Sequence, residues 1–380
     1  MEKIKGVNLG NWFVLEKWMS PGLFEGTTAE DEYYLPTQLP KEIYEERIRR
    51  HRAEYITERD FIAIRALGLN AVRIPVPYFI FGDRAPFVGC IDGLDRAMEW
   101  AEKHGLKVLI DLHTAPDSQN GFDNGGISGV CKFFQEPEEI EFVYTVLERL
   151  AERYGNREGL WGIEILNEPA SAQMWEMIKT RYAAVDPEKA AGSRGYEMEE
   201  LRAFYLTAYD RIMKYLPYEK KVVMHDGFDI LAWKDFMRDG KYRNVILDTH
   251  QYLMMVEAFG LEPTKEGYVQ FIEEHFAKDV AEMQQYFPVI CGEWCLSNAI
   301  SYRKFTDAVT KEERGCTKEE RDEIMRALDR AQKAAWDKGS GYFYWSWKLH
   351  IDTALRPESE GTEPWDLGRA ALYGWFEPEK

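Results

Sequence analysis

Trp161-Gly162-Ile163-Glu164-Ile165-Leu166-Asn167-Glu168-Pro169 begins as a short apolar run with β-branched residues and ends in an amide, a carboxylate and a proline. The run predicts a strand buried on both faces. Proline cannot extend a ladder, so the strand should close with Asn167 and Glu168 at its carboxyl end. A carboxylate at the mouth of a buried parallel strand costs free energy unless it is paired or functional. The fold turns on whether other strands end in the same way.

They do. Further apolar runs predict strands over residues 4–9, 70–75, 106–113, 221–226, 245–252, 289–294 and 341–347, with the opening stretch supplying 161–167. Helical periodicity fills the gaps between them, as in Phe61, Ile64 and Leu67 after a Thr57 cap, or Ile140, Val143, Tyr144, Leu147 and Leu150. Eight strands alternating with helices, without repeat or linker, is the pattern of one α/β (β/α)8 TIM barrel spanning residues 1–380 as a single catalytic domain. A doubly wound sheet would want a glycine-rich dinucleotide turn after its first strand, and Asn8-Leu9-Gly10-Asn11-Trp12 is not one. The length exceeds a bare barrel of about 250 residues, leaving room for long βα loops on one face. Polar residues gather at the strand ends that build this face: Arg73, His113, Asn167, Glu168, His225, Asp226, His250, Tyr252, Glu293 and Trp345. One such ending would be chance; a near-complete ring is a site.

Composition narrows the partners. A formal net charge of -18 argues against nucleic acid and anionic membranes but is indifferent to a neutral sugar. No run is long enough to span a bilayer, and the first residues lack the apolar core of a signal peptide. The five cysteines are scattered and odd in number, which predicts free thiols in a reducing compartment and a cytoplasmic protein. No cofactor and no metal is expected, and oligomeric state is not written in the sequence.

Glu168 and Glu293 stand at the ends of strands four and seven, on different arcs of the barrel. A glycosidase needs such a pair: one acid to protonate the leaving oxygen, one ionised group to attack or stabilise the anomeric carbon. Arg73 is the cation available to keep one of them ionised, and its anionic neighbour and partial burial should push the other toward protonation.

Arg73, His113, Asn167-Glu168-Pro169, His250 with Tyr252, Glu293 and Trp345 fall in an order and spacing that resembles glycoside hydrolase family 5. Residues 6–10, 11–16, 56–61, 111–113 and 118–124 look like its exo-β-1,3-glucanase branch. The resemblance implies Glu168 as acid/base and Glu293 as nucleophile. It implies that Asn167 bonds the sugar 2-hydroxyl, that Tyr252 and Arg73 orient Glu293, and that His113 and His250 bind hydroxyls and steady the carboxylates. Trp345 would floor the subsite, Glu16, Asp123 and Asn124 would grip the terminal glucose, and Phe122 would clamp the next sugar. The expected substrate is a short β-linked glucose oligosaccharide or glucoside. Two departures stand out: Gly10-Asn11 replaces the family's usual Gly-Gly, and Met255 occupies a position that is commonly aromatic.

Three other functions compete. An endo-β-1,4-glucanase or mannanase could use the same barrel, but the Glu16, Asp123 and Asn124 set argues for a pocket closed at one end. A metal-dependent hydrolase built on His113, His225, Asp226 and His250 would want His-x-His on strand one, which is missing. A sugar-binding barrel without activity would not need both glutamates. The charged run from Glu42 to Arg52 is expected to be a solvated helical face.

Overall fold

The computed structural model describes residues 2–254, 263–302, 304–306, 313–351 and 361–379; Met255 lies outside them. Eight parallel strands close into one barrel: β1 (Ile4–Asn8), β2 (Ala71–Val76), β3 (Lys107–Leu112), β4 (Leu160–Glu164), β5 (Lys221–His225), β6 (Val245–His250), β7 (Val289–Trp294) and β8 (Gly341–Tyr344). Each pairs with its sequence neighbours, and β8 closes on β1 with Ile4 opposite Gly341 and Val7 opposite Tyr344.

The lower interior is sealed by one side chain from each strand: Ile4, Ala71, Leu109, Trp161, Val223, Ile246, Ile290 and Phe343. Gly6 makes room for this plug, because a Cβ there would sit 2.4 Å from the Phe343 ring. Two residues further along most strands the same face turns polar, as the pleat's period requires. Arg73, Asp111, Asp248 and His225 stand above Ala71, Leu109, Ile246 and Val223. A register shift between β6 and β7 brings Glu293 opposite His250. The outer surface of the strands packs on the surrounding helices in one large apolar cluster.

Four expectations need correcting. β4 ends at Glu164, not Asn167, because the chain bends there; Asn167 and Glu168 stand beyond the ladder, with Glu168 at φ 43°. β2 runs through Pro75 to Val76, whose carbonyl accepts from the His113 amide. Between β5 and β6 the described chain has only two 3-10 turns, Ile230–Trp233 and Gly240–Tyr242, instead of a helix; the buried Trp233 covers the barrel there. Helix Lys41–Glu54 is not merely solvated: Tyr44, Ile48, His51 and Arg52 are buried on its inner side. Arg52 bonds Glu32 Oε1 at 3.1 Å and the Phe13 carbonyl at 3.0 Å. Cys90, Cys131, Cys291 and Cys295 are buried free thiols.

Candidate active site

Arg73 organises the mouth. Fully buried, it donates from Nε to Glu164 Oε2 at 2.7 Å and from Nη1 to Asn8 Oδ1 at 3.0 Å and Glu293 Oε1 at 2.9 Å. Its Nη2 donates to Asn167 Oδ1 at 2.8 Å and lies 3.2 Å from Asp111 Oδ2. A guanidinium only donates, so Asn167 must turn its oxygen inward and present Nδ2 to the mouth. Tyr252 donates to the other oxygen of Glu293 at 2.7 Å. Glu293 is thus pinned at both oxygens.

Glu168 is held on the facing side. His250 Nδ1 is 2.7 Å from its Oε1, and Asn124 Nδ2 donates to its Oε2 at 2.9 Å. The loop after β3 carries this arrangement: Gln119 bonds the carbonyls of His113 and Asn167 at 2.9 and 2.8 Å, and Asn120 bonds the Glu168 carbonyl at 3.1 Å. The same His250 nitrogen lies 3.6 Å from Glu293 Oε2. One nitrogen this near both acids keeps those two oxygens closer than the roughly 6.5 Å or more that separates the carboxyls of an inverting enzyme.

The remaining ring members close the pocket. His113 pairs with Asp111 at 2.6 Å and stacks against Trp345, ring centroids 5.6 Å apart and planes 10° from parallel. Glu16 is buried, accepts from Trp18 Nε1 at 2.8 Å, and leaves its other oxygen without a protein partner. Its carboxyl is held well above the usual range, by burial first and then by the negative charge of Asp123, against the hydrogen bond from Trp18. Asn11 takes φ 61°; asparagine is among the few residues other than glycine that tolerate this conformation. It uses its side chain to accept from the Glu16 amide at 2.9 Å. Phe122 faces Tyr182 and Phe228, with centroids 5.4 and 6.2 Å away. A separate surface cavity of about 800 Å³ beside Ser20, Tyr55 and His350 shares no lining residue with this site.

Several of these groups escape a reading of the sequence alone: Asn8, Asp111, Glu164, Asp248, Tyr182 and Phe228. A signal existed for two of them. Asp111-x-His113 and Asp248-x-His250 each place an acid two residues below a histidine, hence on the same strand face.

The electrostatics differ from expectation. Arg73 does touch Glu293, but its charge is divided among three carboxylates. Burial, with Glu168 adding, raises the Glu293 carboxyl above its ordinary value despite His250 and Arg73. Burial also acts upward on Glu168, yet the His250 contact and the Asn124 hydrogen bond outweigh it and hold that carboxyl low. The shifts of the two carboxyls thus run in the opposite sense to the one expected, upward on Glu293 and downward on Glu168. For the metal alternative, ligand atoms of Glu168, His225 and His250 lie within 4.8 Å of one another, but most of the ring nitrogens are already paired. His250 with Glu168 and His113 with Asp111 are spaced at 2.7 and 2.6 Å as hydrogen-bonded pairs, and His225 Nδ1 accepts from the Gly227 amide at 3.0 Å.

Asp226, at the end of β5, is buried, and that burial pushes it up to about 7 even though it accepts from the Phe228 amide at 2.8 Å. The folded state therefore binds a proton that the unfolded chain releases near the ordinary value of 3.8. The contribution of this group to stability is greatest below that value and declines as pH rises toward about 7. Asp226→Asn should shrink the drop in Tm between about pH 5 and pH 8 in thermal melts. An unchanged or larger drop would count against this assignment.

Comparison with known proteins gives a consistent picture. A family model described as cellulase (glycosyl hydrolase family 5) matches residues 44–350. A probable glucan 1,3-beta-glucosidase A of Emericella nidulans is 34% identical over 406 positions, covering 99% of this chain and 90% of that protein. The glucan 1,3-beta-glucosidase of Candida oleophila is 32% identical, covering 91% of this chain and 84% of its own. Among solved structures, the rutinosidase from Aspergillus niger has the same fold, with a TM-score of 0.74 at 20% identity over 99% of this chain and 98% of that one.

Proposed function

Because this chain belongs to glycosyl hydrolase family 5, we propose that it is a retaining, exo-acting β-glucosidase of the glucan 1,3-β type, releasing glucose from short β-glucans or glucosides. The observation that supports the proposal is the placement of His250 between Glu168 and Glu293 at 2.7 and 3.6 Å, which keeps an oxygen of each closer together than an inverting pair requires.

Glu293 attacks the anomeric carbon, its oxygens aimed by Arg73 and Tyr252. Glu168 gives a proton to the departing oxygen, then takes one from the water that hydrolyses the glycosyl ester, so configuration is retained. Asn167 Nδ2 meets the 2-hydroxyl, a contact that strengthens as positive charge develops at the ring. Glu16, Asp123 and Asn124 grip the terminal glucose and Trp345 floors it. Phe122, Tyr182 and Phe228 offer aromatic faces to the leaving sugar.

Product analysis on laminari-oligosaccharides should yield glucose alone, with the β-anomer first by NMR. A ladder of intermediate products would favour the endo alternative, and the α-anomer first would overturn retention. Activity should also show a bell-shaped pH dependence. Glu293 must be ionised to attack, and its carboxyl is raised, so the acid limb of kcat/KM should lie above the ordinary glutamate value of 4.5. A limb at or below that value would contradict the electrostatic account.

A further inference from the structure

Below the mouth lies a second tier of acids, Asp111, Glu164 and Asp248, all buried. With Glu168 and Glu293 they place five carboxyls in the upper barrel against one guanidinium, Arg73. Buried carboxylates in that excess need further positive charge or protons. His250 is the group placed to supply it. Its ring is enclosed by acids: Nδ1 lies 2.7 Å from Glu168 and 3.6 Å from Glu293, while Nε2 lies 3.7 Å from Asp248 Oδ2. Among the described residues, His250 Nε2, Asp248 Oδ2 and Glu164 Oε1 have no hydrogen-bond partner. One oxygen each of Glu164 and Asp248 and a ring nitrogen of His250 converge within 4.8 Å. An imidazole with carboxylate oxygens on both sides, one in hydrogen-bond contact and one 3.7 Å away, sits in a field that favours the doubly protonated ring.

We propose that His250 is the resting store of the catalytic proton, and that Asp248, backed by Glu164, is the positioning residue that keeps it there until Glu168 delivers it to the leaving group. This rests on the reading of Glu168 as acid/base. The proton passes from His250 Nδ1 to Glu168 Oε1: the N–H bond breaks, its electron pair stays on nitrogen, and an O–H bond forms. Imidazolium becomes imidazole and carboxylate becomes carboxylic acid. Glu168 then hands the proton to the glycosidic oxygen as the C–O bond breaks. On hydrolysis of the ester, Glu168 takes a proton from water and returns it to His250.

The geometry also times the transfer. As Glu293 bonds to the sugar it loses its negative charge, and one of the anions stabilising the imidazolium disappears. His250 releases its proton when the leaving oxygen needs one. Among the other titratable neighbours, Glu164 is held well above the usual carboxylate range, by burial first and against the pull of Arg73. His225, whose ring centroid is 4.4 Å away, is held well below the ordinary histidine value, by burial and then by His250 itself. Asp226 is pushed up to about 7 by burial. Arg73 spends its donors on Glu164, Glu293 and Asp111. Burial pulls His250 down, but Glu293, Asp248 and Glu168 together hold it well above the usual range. Asp248 reaches this position because Gly292 stands at the register shift of β7: a Cβ there would lie 1.9 Å from Asp248 Oδ2, while the Gly292 amide donates to Oδ1 at 2.5 Å.

The test is long-range 1H–15N correlation NMR on protein labelled at its 7 histidines, with the His250 signals identified by their loss in His250→Gln. Wild-type His250 should show two protonated nitrogens at about pH 8, well past the ordinary histidine pKa near 6.5. In Asp248→Asn, which retains the oxygen that Gly292 uses, the ring should titrate at least about one pH unit lower. The alkaline limb of kcat/KM for an alkyl glucoside should move down with it, and the acid limb should stay. Glu164→Gln should move both readouts in the same direction, giving a second route if Asp248→Asn fails to fold. A neutral His250 ring in the wild-type protein at about pH 8 would overturn the proposal. So would an Asp248→Asn variant that loses activity equally at every pH. The NMR signature needs no turnover, so it separates failure of this inference from failure of the glycosidase reading.

Discussion

Glu293→Gln folds, binds sugar, and turns over at least about 10^4-fold more slowly than the wild-type enzyme. Glutamine keeps the shape and one carbonyl oxygen, so Arg73 Nη1 retains its acceptor at the 2.9 Å site. The amide cannot form the glycosyl ester, and its neutral charge gives no support to the developing oxocarbenium. Affinity for a β-1,3-linked glucose disaccharide should change by only a few-fold in calorimetry, because the gripping groups Glu16, Asp123, Asn124 and Trp345 are untouched. Glu293→Ala with added azide should recover turnover and yield the α-glycosyl azide, since the small anion attacks from the vacated face. Normal turnover by Glu293→Gln would remove Glu293 from the mechanism.

Glu168→Ala separates the two chemical steps by leaving-group dependence. Alkyl glucosides, whose oxygen needs a proton, should lose about 10^3-fold or more in kcat/KM. A dinitrophenyl glucoside departs as a stable anion and should be nearly unaffected in that parameter, while its kcat falls because water no longer has a base. Azide should then accelerate turnover and give the β-glycosyl azide, the mirror outcome to that at Glu293. Equal losses for both substrates would show that Glu168 does something other than transfer a proton.

The eight strands were legible because each is a short apolar run with punctuation on either side. The missing helix between β5 and β6 was not, since Trp233 supplies from a 3-10 turn the apolar cover that a helix would give. At the site, polar residues within or just after apolar runs stood out: Arg73, Glu168 and Glu293 each interrupt an apolar pattern. Their supports were harder to read. Glu164 closes β4 and Asp248 lies within β6, where a single acid in an apolar run resembles an ordinary solvent-facing position of a half-exposed strand. Only barrel closure turns those positions inward. Tyr182 and Phe228 come from long loops whose course no periodicity specifies, and Phe228 sits at φ 66°. The protonation pattern was illegible for a related reason, since it depends on distances among side chains from separate strands.

The grip of Arg73 has a consequence for the architecture as a heritable unit. Its partners come from β1 (Asn8), β3 (Asp111), β4 (Glu164) and β7 (Glu293). Neither half of the cylinder holds a complete set, so quarter- or half-barrel exchange between relatives would strand acids without their counter-charge. Recombination through the staves is therefore closed, and change is left to those stretches of the rim that touch neither catalytic acid.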